Sequence, residues 1–446
     1  MSVQMQCVSI KPENEQELRR DFEEIAHLSD LVEIRLDAFK TLPEELLRKC
    51  IKAKKVLLTH KTHHEELAAL HPAYLDIPHS MPKDLFLKIR QKYPEITLIV
   101  SYHDYEKTPV DLDAIFAHLA SYPADMCKLV THANSSLDAL RMLSVVKEQN
   151  RPVIGFCMGD IGAFSRILAP ACGSRISYMS LPVRPTAPGQ YPVGSILAKT
   201  SSEIYALIGN PVSHSLSHIT HNAVFQRNGI DAVYVKIALD KDQIDEAMTY
   251  FHKLQFKGFS VTTPLKQYFG ANTVRFDAGK MAIFNTDGIG MLDAIEAKRK
   301  VAGKTVLILG AGATAESIAR EAIKRNATVI ISNRTHEKAA LLADILGCKS
   351  CFWKESLHYD ILINATTVYD DPFFDDIPPE ALVADVISTK KTALLQLAIK
   401  KGSEIVSGHE MWVRQASFQF HFWKNLDPSA VYKEIQDVAC SPIGLG

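Results

Sequence analysis

Lys128 is the only charged residue in the run Met126-Cys127-Lys128-Leu129-Val130. An amine enclosed by apolar neighbours has two chemical readings. It can carry its head out to water or to a carboxylate and serve structure alone. Alternatively it is a nucleophile that condenses with a ketone to an imine, if burial and nearby arginines lower its pKa from about 10.4 towards neutrality. His103, in Ser101-Tyr102-His103-Asp104, is the side-chain type suited to proton transfer near pH 7. Farther on, Lys266 and Asp287 read, on the residues alone, as a structural ion pair.

A third constellation is Gly310-Ala311-Gly312-Ala313-Thr314-Ala315, preceded by the apolar run Val306 to Leu309 and followed by an amphipathic segment. A GxGxxA turn between strand and helix lets backbone approach a pyrophosphate lying at the helix N-terminus. The next apolar run, Thr328 to Ser332, ends in Asn333-Arg334-Thr335, with no acid to grip a ribose 2′-hydroxyl. Arg334 suits a 2′-phosphate, so the expected cofactor is NADP.

These groups need two kinds of scaffold. In the first half, apolar or β-branched runs recur at Met5 to Ile10, Leu31 to Asp37, Lys55 to His60, Ala73 to Ile77, Ile96 to Ser101, Met126 to Thr131, Pro152 to Met158 and Arg175 to Leu181. Eight strands alternating with helical connections predict a parallel (β/α)8 barrel, whose chemistry gathers at the C-terminal strand ends. A period of two places Glu33, Arg35 and Asp37 on one face of the second strand, where three charges need a polar enclosure. Arg166 follows the seventh strand, and the Thr186 to Gln190 loop follows the eighth. The second half predicts a two-lobed dehydrogenase: an α/β substrate lobe with strands at Ile204 to Ile208, Val233 to Ile237 and Gly258 to Thr262, then a Rossmann lobe. Ser217 is read as the N-cap of a helix running to Asn228. The expected domains are 1-196, 203-298 with 409-446, and 299-408, joined by a tether at Leu197 to Glu203.

With 446 residues the chain exceeds one hydrophobic core. Lys plus Arg (50) nearly balances Asp plus Glu (51), so no overall field favours nucleic acid or an anionic membrane, and small-molecule partners are expected. No apolar run reaches the roughly 18 residues of a membrane span, no secretory or transit pattern opens the chain, and the eight cysteines lack disulfide spacing. A cytoplasmic location is expected. The lone CxxC at Cys348 and Cys351 and the His214/His218 pair lack further ligands, and His60, His63 and His64 are read as exposed loop histidines, so no metal is expected.

The first half resembles the type I 3-dehydroquinate dehydratases through Glu33-Ile34-Arg35, Glu65, Ser101 to Pro109, Lys128, Arg166 and Thr186-Ala187-Pro188-Gly189-Gln190. The resemblance implies that Lys128 forms an imine with 3-dehydroquinate and that His103, oriented by Glu65, moves protons. It places Arg166 on the substrate carboxylate, and Glu33, Arg35 and Gln190 on ring hydroxyls. Lys61 stands where the family has Arg, and Thr186 where it has Ser. Residues 203 to 446 resemble shikimate dehydrogenase. That resemblance implies Lys266 and Asp287 as the catalytic pair, and Ser215, Ser217, Thr262, Asn272 and Gln415 around 3-dehydroshikimate or shikimate. NADP would be held by Gly310, Gly312, Ala313, Ala315, Asn333, Arg334, Thr335, Thr366 and Gly408. Two departures stand out: only Gln267, Tyr268 and Phe269 separate Lys266 from Gly270, and the family's Tyr-x-Pro is absent from Asp385 to Thr389. A related reductase with another substrate would be signalled by exchange at Ser215, Ser217 or Thr262, and all three are present.

Overall fold

The computed structural model describes residues 4–439 apart from 183, 278 and 356. Eight strands form the first sheet: β1 (Met5–Ile10), β2 (Leu31–Arg35), β3 (Val56–Thr59), β4 (Tyr74–Pro78), β5 (Thr97–His103), β6 (Met126–His132), β7 (Val153–Met158) and β8 (Ile176–Met179). Each lies within a few residues of its expected range. They are ordered β7-β6-β5-β4-β3-β2-β1-β8 with parallel pairing throughout, and a parallel bridge from Val153 to Ser174 brings β7 to the segment before β8. The sheet therefore nearly closes into the expected barrel. Its strands are buried on both faces, which is why they read as almost unbroken apolar runs.

Amphipathic helices cover the outside, several with side-chain caps. Asn14 accepts from the Glu17 N–H at the start of Glu15–Ile25, and Ser135 with Asp138 forms a capping box on Ser136–Glu148. Ser9, Glu33, Asp76, Ser101 and Lys128 are buried polar residues of these strands that face one inward layer, with Ser9 in register with Glu33 and Ser101 with Lys128. The same compact unit takes in residues 231–256, carrying β10 (Ala232–Ala238) and the helix Ile244–Leu254, after β9 (Glu203–Gly209). Ala198, inside the expected tether, is buried and its N–H donates to the Ile167 carbonyl at 3.0 Å, so the join is anchored on the barrel.

The second compact unit spans residues 205–230 and 257–446. One sheet contributes β11 (Phe256–Val261), β12 (Thr273–Asp277) and β13 (Lys280–Phe284), paired antiparallel in that order. A second, all-parallel sheet holds β14 (Thr305–Leu309), β15 (Thr328–Ser332), β16 (Lys349–Cys351), β17 (Ile361–Asn364), β18 (Leu382–Asp385) and β19 (Glu404–Val406) in the order β16-β15-β14-β17-β18-β19. This is the doubly wound order that reverses beside the first strand, where dinucleotides bind. Val306 and Ile308 pack on one face with the helix Ala313–Lys324, while Leu307 and Leu309 face the opposite core with Leu394 and Leu395. No helix among the described residues is long and apolar enough to cross a membrane.

Candidate active sites

The barrel encloses a cavity of about 490 Å³ at its C-terminal strand ends, lined among others by Glu33, Arg35, Asp76, His103, Lys128, Arg166, Tyr178, Thr186 and Gln190. Lys128 is its centre. The ammonium donates to Asp76 Oδ2 at 2.8 Å, lies 3.5 Å from Glu33 Oε1, and sits 4.3 Å from the centre of the Tyr178 ring. Burial alone would lower its pKa, but Asp76, Tyr178 and Glu33 outweigh burial and hold it well above the ordinary lysine value. This corrects the expectation of a lowered pKa. The arginines lie nearby, yet the nearest charges are carboxylates, and the resting amine keeps its proton.

His103 is the opposite case. Burial first, then the Lys128 charge, push its pKa down to about 4, so it is a neutral imidazole able to accept a proton. Arg166 is buried, stacks on Phe156 at 4.3 Å and donates through Nη2 to the Pro188 carbonyl at 3.2 Å. Its Nε has no partner, and burial lowers its pKa to about 10, leaving a guanidinium with donors to offer an anion. Arg35 reaches Asp37 at 3.2 Å. In the lid, the Thr186 hydroxyl donates to Gln190 Oε1 at 3.0 Å, and Gln190 Nε2 donates to the Met179 carbonyl at 2.7 Å. Lys61 is exposed at the cavity rim.

Glu65 is elsewhere. Its half-exposed carboxylate pairs with Lys88 at 2.6 Å and does not line the cavity, so it does not orient His103. The physical reason is helix phase: on His64–Ala68, His64 takes the inward position and Glu65 the outward one. His60 and His64 are likewise buried rather than exposed; His60 Nδ1 accepts from the Thr62 N–H at 3.0 Å. Asp76 was the residue missed. It sits in an apolar strand, Tyr74–Pro78, as Lys128 does, and that shared oddity was the available signal.

In the second unit, a single network joins Lys266, Asp287, Asn272 and Gln415. Lys266 Nζ donates to Asp287 Oδ2 at 2.6 Å, and Asn272 Nδ2 donates to Asp287 Oδ1 at 2.8 Å and to Gln415 Oε1 at 3.2 Å. The short Lys266 to Asn272 connection is one helical turn, Lys266–Phe269, closed by Gly270 at φ +64°. That left-handed residue turns the chain straight into β12, which places Asn272, 2% exposed, beneath Asp287. Ser215 donates to the Ser217 hydroxyl at 3.0 Å, and Thr262 accepts the Lys266 N–H through its carbonyl at 3.2 Å. Ser217 is the first helical residue, and Leu216 holds the cap position, so the expected Ser217 cap is not formed.

A cavity of about 590 Å³ runs from Lys266 and Asn285 over Ala311, Gly312 and Ala313. Gly310 adopts φ +116°, and an added Cβ would meet the Ala365 carbonyl at 2.9 Å, whereas Gly312 opens onto free space. A bare backbone turn at a helix N-terminus, beside open volume, fits a dinucleotide pyrophosphate. Ala315 is buried behind it. Asn333 Nδ2 donates to the Thr335 carbonyl at 2.9 Å, and Arg334 projects, exposed, between them at the end of β15. Thr366 packs beside Gly310 and donates to Asn364 Oδ1 at 2.7 Å. Gly408 opens the helix Gly408–Lys424 against the Ile387 backbone, 2.3 Å from where a Cβ would stand, which makes it a packing position.

Comparison with known proteins matches three successive segments, and the second of them includes residues 231–256, which belong to the barrel's compact unit. Residues 59–207 match the family described as type I 3-dehydroquinase, 207–278 the shikimate dehydrogenase substrate binding domain, and 294–369 shikimate / quinate 5-dehydrogenase. The shikimate biosynthesis protein AroDE of Chlamydia pneumoniae is 32% identical over 94% of this chain and 95% of its own. The bifunctional 3-dehydroquinate dehydratase/shikimate dehydrogenase of Arabidopsis thaliana, a chloroplastic protein, is 32% identical over 91% of this chain and 80% of its own. A shikimate dehydrogenase solved in complex with NADP+ is 30% identical, with a TM-score of 0.50, covering 55% of this chain and 98% of that one.

Proposed function

The chain belongs to the bifunctional 3-dehydroquinate dehydratase/shikimate dehydrogenase family, and from that premise we propose how its residues divide the two reactions. The enzyme dehydrates 3-dehydroquinate to 3-dehydroshikimate and reduces that product to shikimate with NADPH. The observation that carries the residue assignment is that each unit completes one half. The barrel cavity surrounds one buried amine with carboxylates, a neutral imidazole and an arginine, and the second unit sets an ammonium–carboxylate pair beside an open glycine turn.

In the barrel, Arg166 holds the substrate carboxylate and Glu33, Arg35 and Gln190 meet ring hydroxyls, with Lys61 and Thr186 at the rim and lid. Lys128 first gives up its proton, and His103, a neutral imidazole lining the same cavity, is the acceptor. The Lys128 amine then adds to the ketone carbon, and His103 returns its proton to the carbinolamine hydroxyl, which leaves as water and forms the protonated imine. Its positive charge acidifies the adjacent C–H; His103 takes that proton and returns it to the β-hydroxyl, which leaves as water, and addition of a water to the protonated imine releases the enone and Lys128. Asp76 and Glu33 balance the positive nitrogen from ammonium to iminium, so their cost to deprotonation is returned as stabilisation of the intermediate.

In the second unit, Gly310, Gly312, Ala313 and Ala315 would hold the NADP pyrophosphate, Asn333, Arg334 and Thr335 its 2′-phosphate, and Thr366 the adjoining wall. NADPH supplies hydride when bound. Lys266 stabilises the oxygen that becomes an alkoxide and delivers its proton, and Asp287 keeps the ammonium aimed. Asn272 and Gln415 fix Asp287 and meet substrate hydroxyls, while Ser215, Ser217 and Thr262 receive the carboxylate end. This assigns 1-196 to dehydration, 203-298 with 409-446 to substrate binding for reduction, and 299-408 to the cofactor. A cytoplasmic location accords with seven unpaired cysteines among the described residues.

Borohydride added with dehydroquinate should leave a reduced adduct on Lys128, and an adduct elsewhere refutes the imine assignment. Dehydroquinate with NADPH should yield shikimate; accumulation of dehydroshikimate without NADPH oxidation would refute the second half.

A further inference from the structure

Asp287 accepts hydrogen bonds from three separate elements. Lys266 comes from the turn after β11 and Asn272 from the entry to β12. The third donor is Thr314, whose Oγ1 donates to Asp287 Oδ2 at 3.0 Å. Thr314 is the second residue of the helix Ala313–Lys324, immediately behind the Gly310 to Gly312 turn. A hydroxyl has one proton and two lone pairs. Here the proton goes to the carboxylate, and Lys266 Nζ approaches the oxygen at 3.5 Å, so the three groups form a triangle.

The triangle is held by its surroundings. One turn along the same helix, Ser317 Oγ accepts the Gly288 N–H at 2.9 Å. Gly288 lacks the Cβ that would stand 2.2 Å from the Ser317 carbonyl, which lets the helix Asp287–Glu296 start directly against the cofactor-turn helix. Two hydroxyls at i and i+3 thus clasp two consecutive residues. A β-branched threonine has few χ1 choices in a helix, so its hydroxyl is held towards Asp287 at low entropic cost.

We propose that Thr314 is a positioning residue for the reduction, its hydroxyl tying the Lys266–Asp287 pair to the turn that carries the cofactor. The proposal rests on the assignment of that pair as catalytic. It means that the proton donor is registered against the hydride donor by a side chain of the dinucleotide turn itself, so proton and hydride reach the same carbonyl from groups fixed to one element. The hydroxyl touches neither substrate nor cofactor in this role, and its effect belongs in kcat.

The test uses the full-length enzyme and its two activities. Thr314→Val, an isostere without the hydroxyl, should lower kcat for dehydroshikimate reduction about tenfold, equal to about 1.4 kcal/mol. KM for NADPH and for dehydroshikimate should stay within about twofold, and Thr314→Ser should recover most of kcat. Dehydration by the same preparation reports the amount of folded barrel, and Thr314→Ala provides a second deletion should valine pack poorly. A kcat unchanged in both deletions, a loss confined to KM, or a Ser variant as impaired as Val overturns the proposal. Lys266→Ala and Asp287→Asn run alongside: if they retain most of kcat, the catalytic pair itself is wrong; if they collapse kcat while Thr314→Val does not, only the role of Thr314 fails.

Discussion

Replacing Asp76 with Asn tests the charge state of the barrel site at its strongest contact. The amide keeps the size of the carboxylate and can still accept from Lys128, but removes a negative charge 2.8 Å from the ammonium. At an effective dielectric near 20, unit charges at that separation attract by roughly 6 kcal/mol. Glu33 remains at 3.5 Å, where the same estimate is roughly 5 kcal/mol, so the site loses the larger of two comparable anchors. Two results follow. Because Asp76 is the first of the anions that hold the Lys128 proton, its removal frees neutral amine at lower pH. The acid limb of imine trapping by borohydride, measured against pH with dehydroquinate present, should move towards lower pH, further in Asp76→Asn than in Glu33→Gln. Removing one partner of a buried pair should also destabilise the barrel, by about 3 kcal/mol given the residual anion. Denaturant melts of the barrel read that loss independently. An acid limb that stays in place or moves upward, in a variant still folded, would falsify the view that Asp76 holds the proton on Lys128.

Other predictions follow from positions where structure and motif disagree or where a single charge decides. Glu65→Gln should leave dehydratase kcat within about twofold and cost no more than about 1 kcal/mol of stability, since an exposed pair with Lys88 is all that is lost; a large fall in kcat would restore Glu65 to the site. Arg334→Ala should raise KM for NADPH about tenfold or more while leaving that for NADH nearly unchanged, and equal effects on both would remove the 2′-phosphate assignment. Burial lowers His103 in the first unit and His221 in the second to about 4, against an ordinary 6.5. The folded forms stay neutral while the unfolded chain takes protons, so each histidine contributes stability that is full above about pH 6.5 and lost on acidification towards about pH 4. The loss is about 3 kcal/mol per site. Melts between pH 7 and 4 should show it, and His221→Gln should flatten the second unit's slope.

Much of this protein was legible in local pattern. Short apolar or β-branched runs alternating with helical segments located the eight barrel strands and the Rossmann strands, because burial of a strand or helix face is written into neighbouring residues. Lys128 was legible because a charge inside an apolar strand is costly wherever the strand lies. The Gly310 to Ala315 turn and Arg334 were legible because the backbone freedom of glycine and the fork of arginine are properties of the residues themselves. The Lys266 to Asn272 connection carried no such signal. Its length was plain, but only the left-handed turn at Gly270 shows how seven residues bring both ends into one network.

What the tertiary structure decided is the aim and charge of those groups. Asp76, 52 residues from Lys128, reverses the expected direction of its pKa, and no local window contains both. Glu65 matches a motif by position, yet one step of helix phase turns it to Lys88. Thr314 is an ordinary residue of a glycine turn until the fold brings Asp287, 27 residues earlier, within 3.0 Å of its hydroxyl. Electrostatic environment sums over whatever lies within a few ångströms, whereas periodicity sums over what lies a few residues away. Sequence by itself therefore determined which elements form and which chemistry they can carry, and the packing of distant segments determined where each side chain points and what proton it holds.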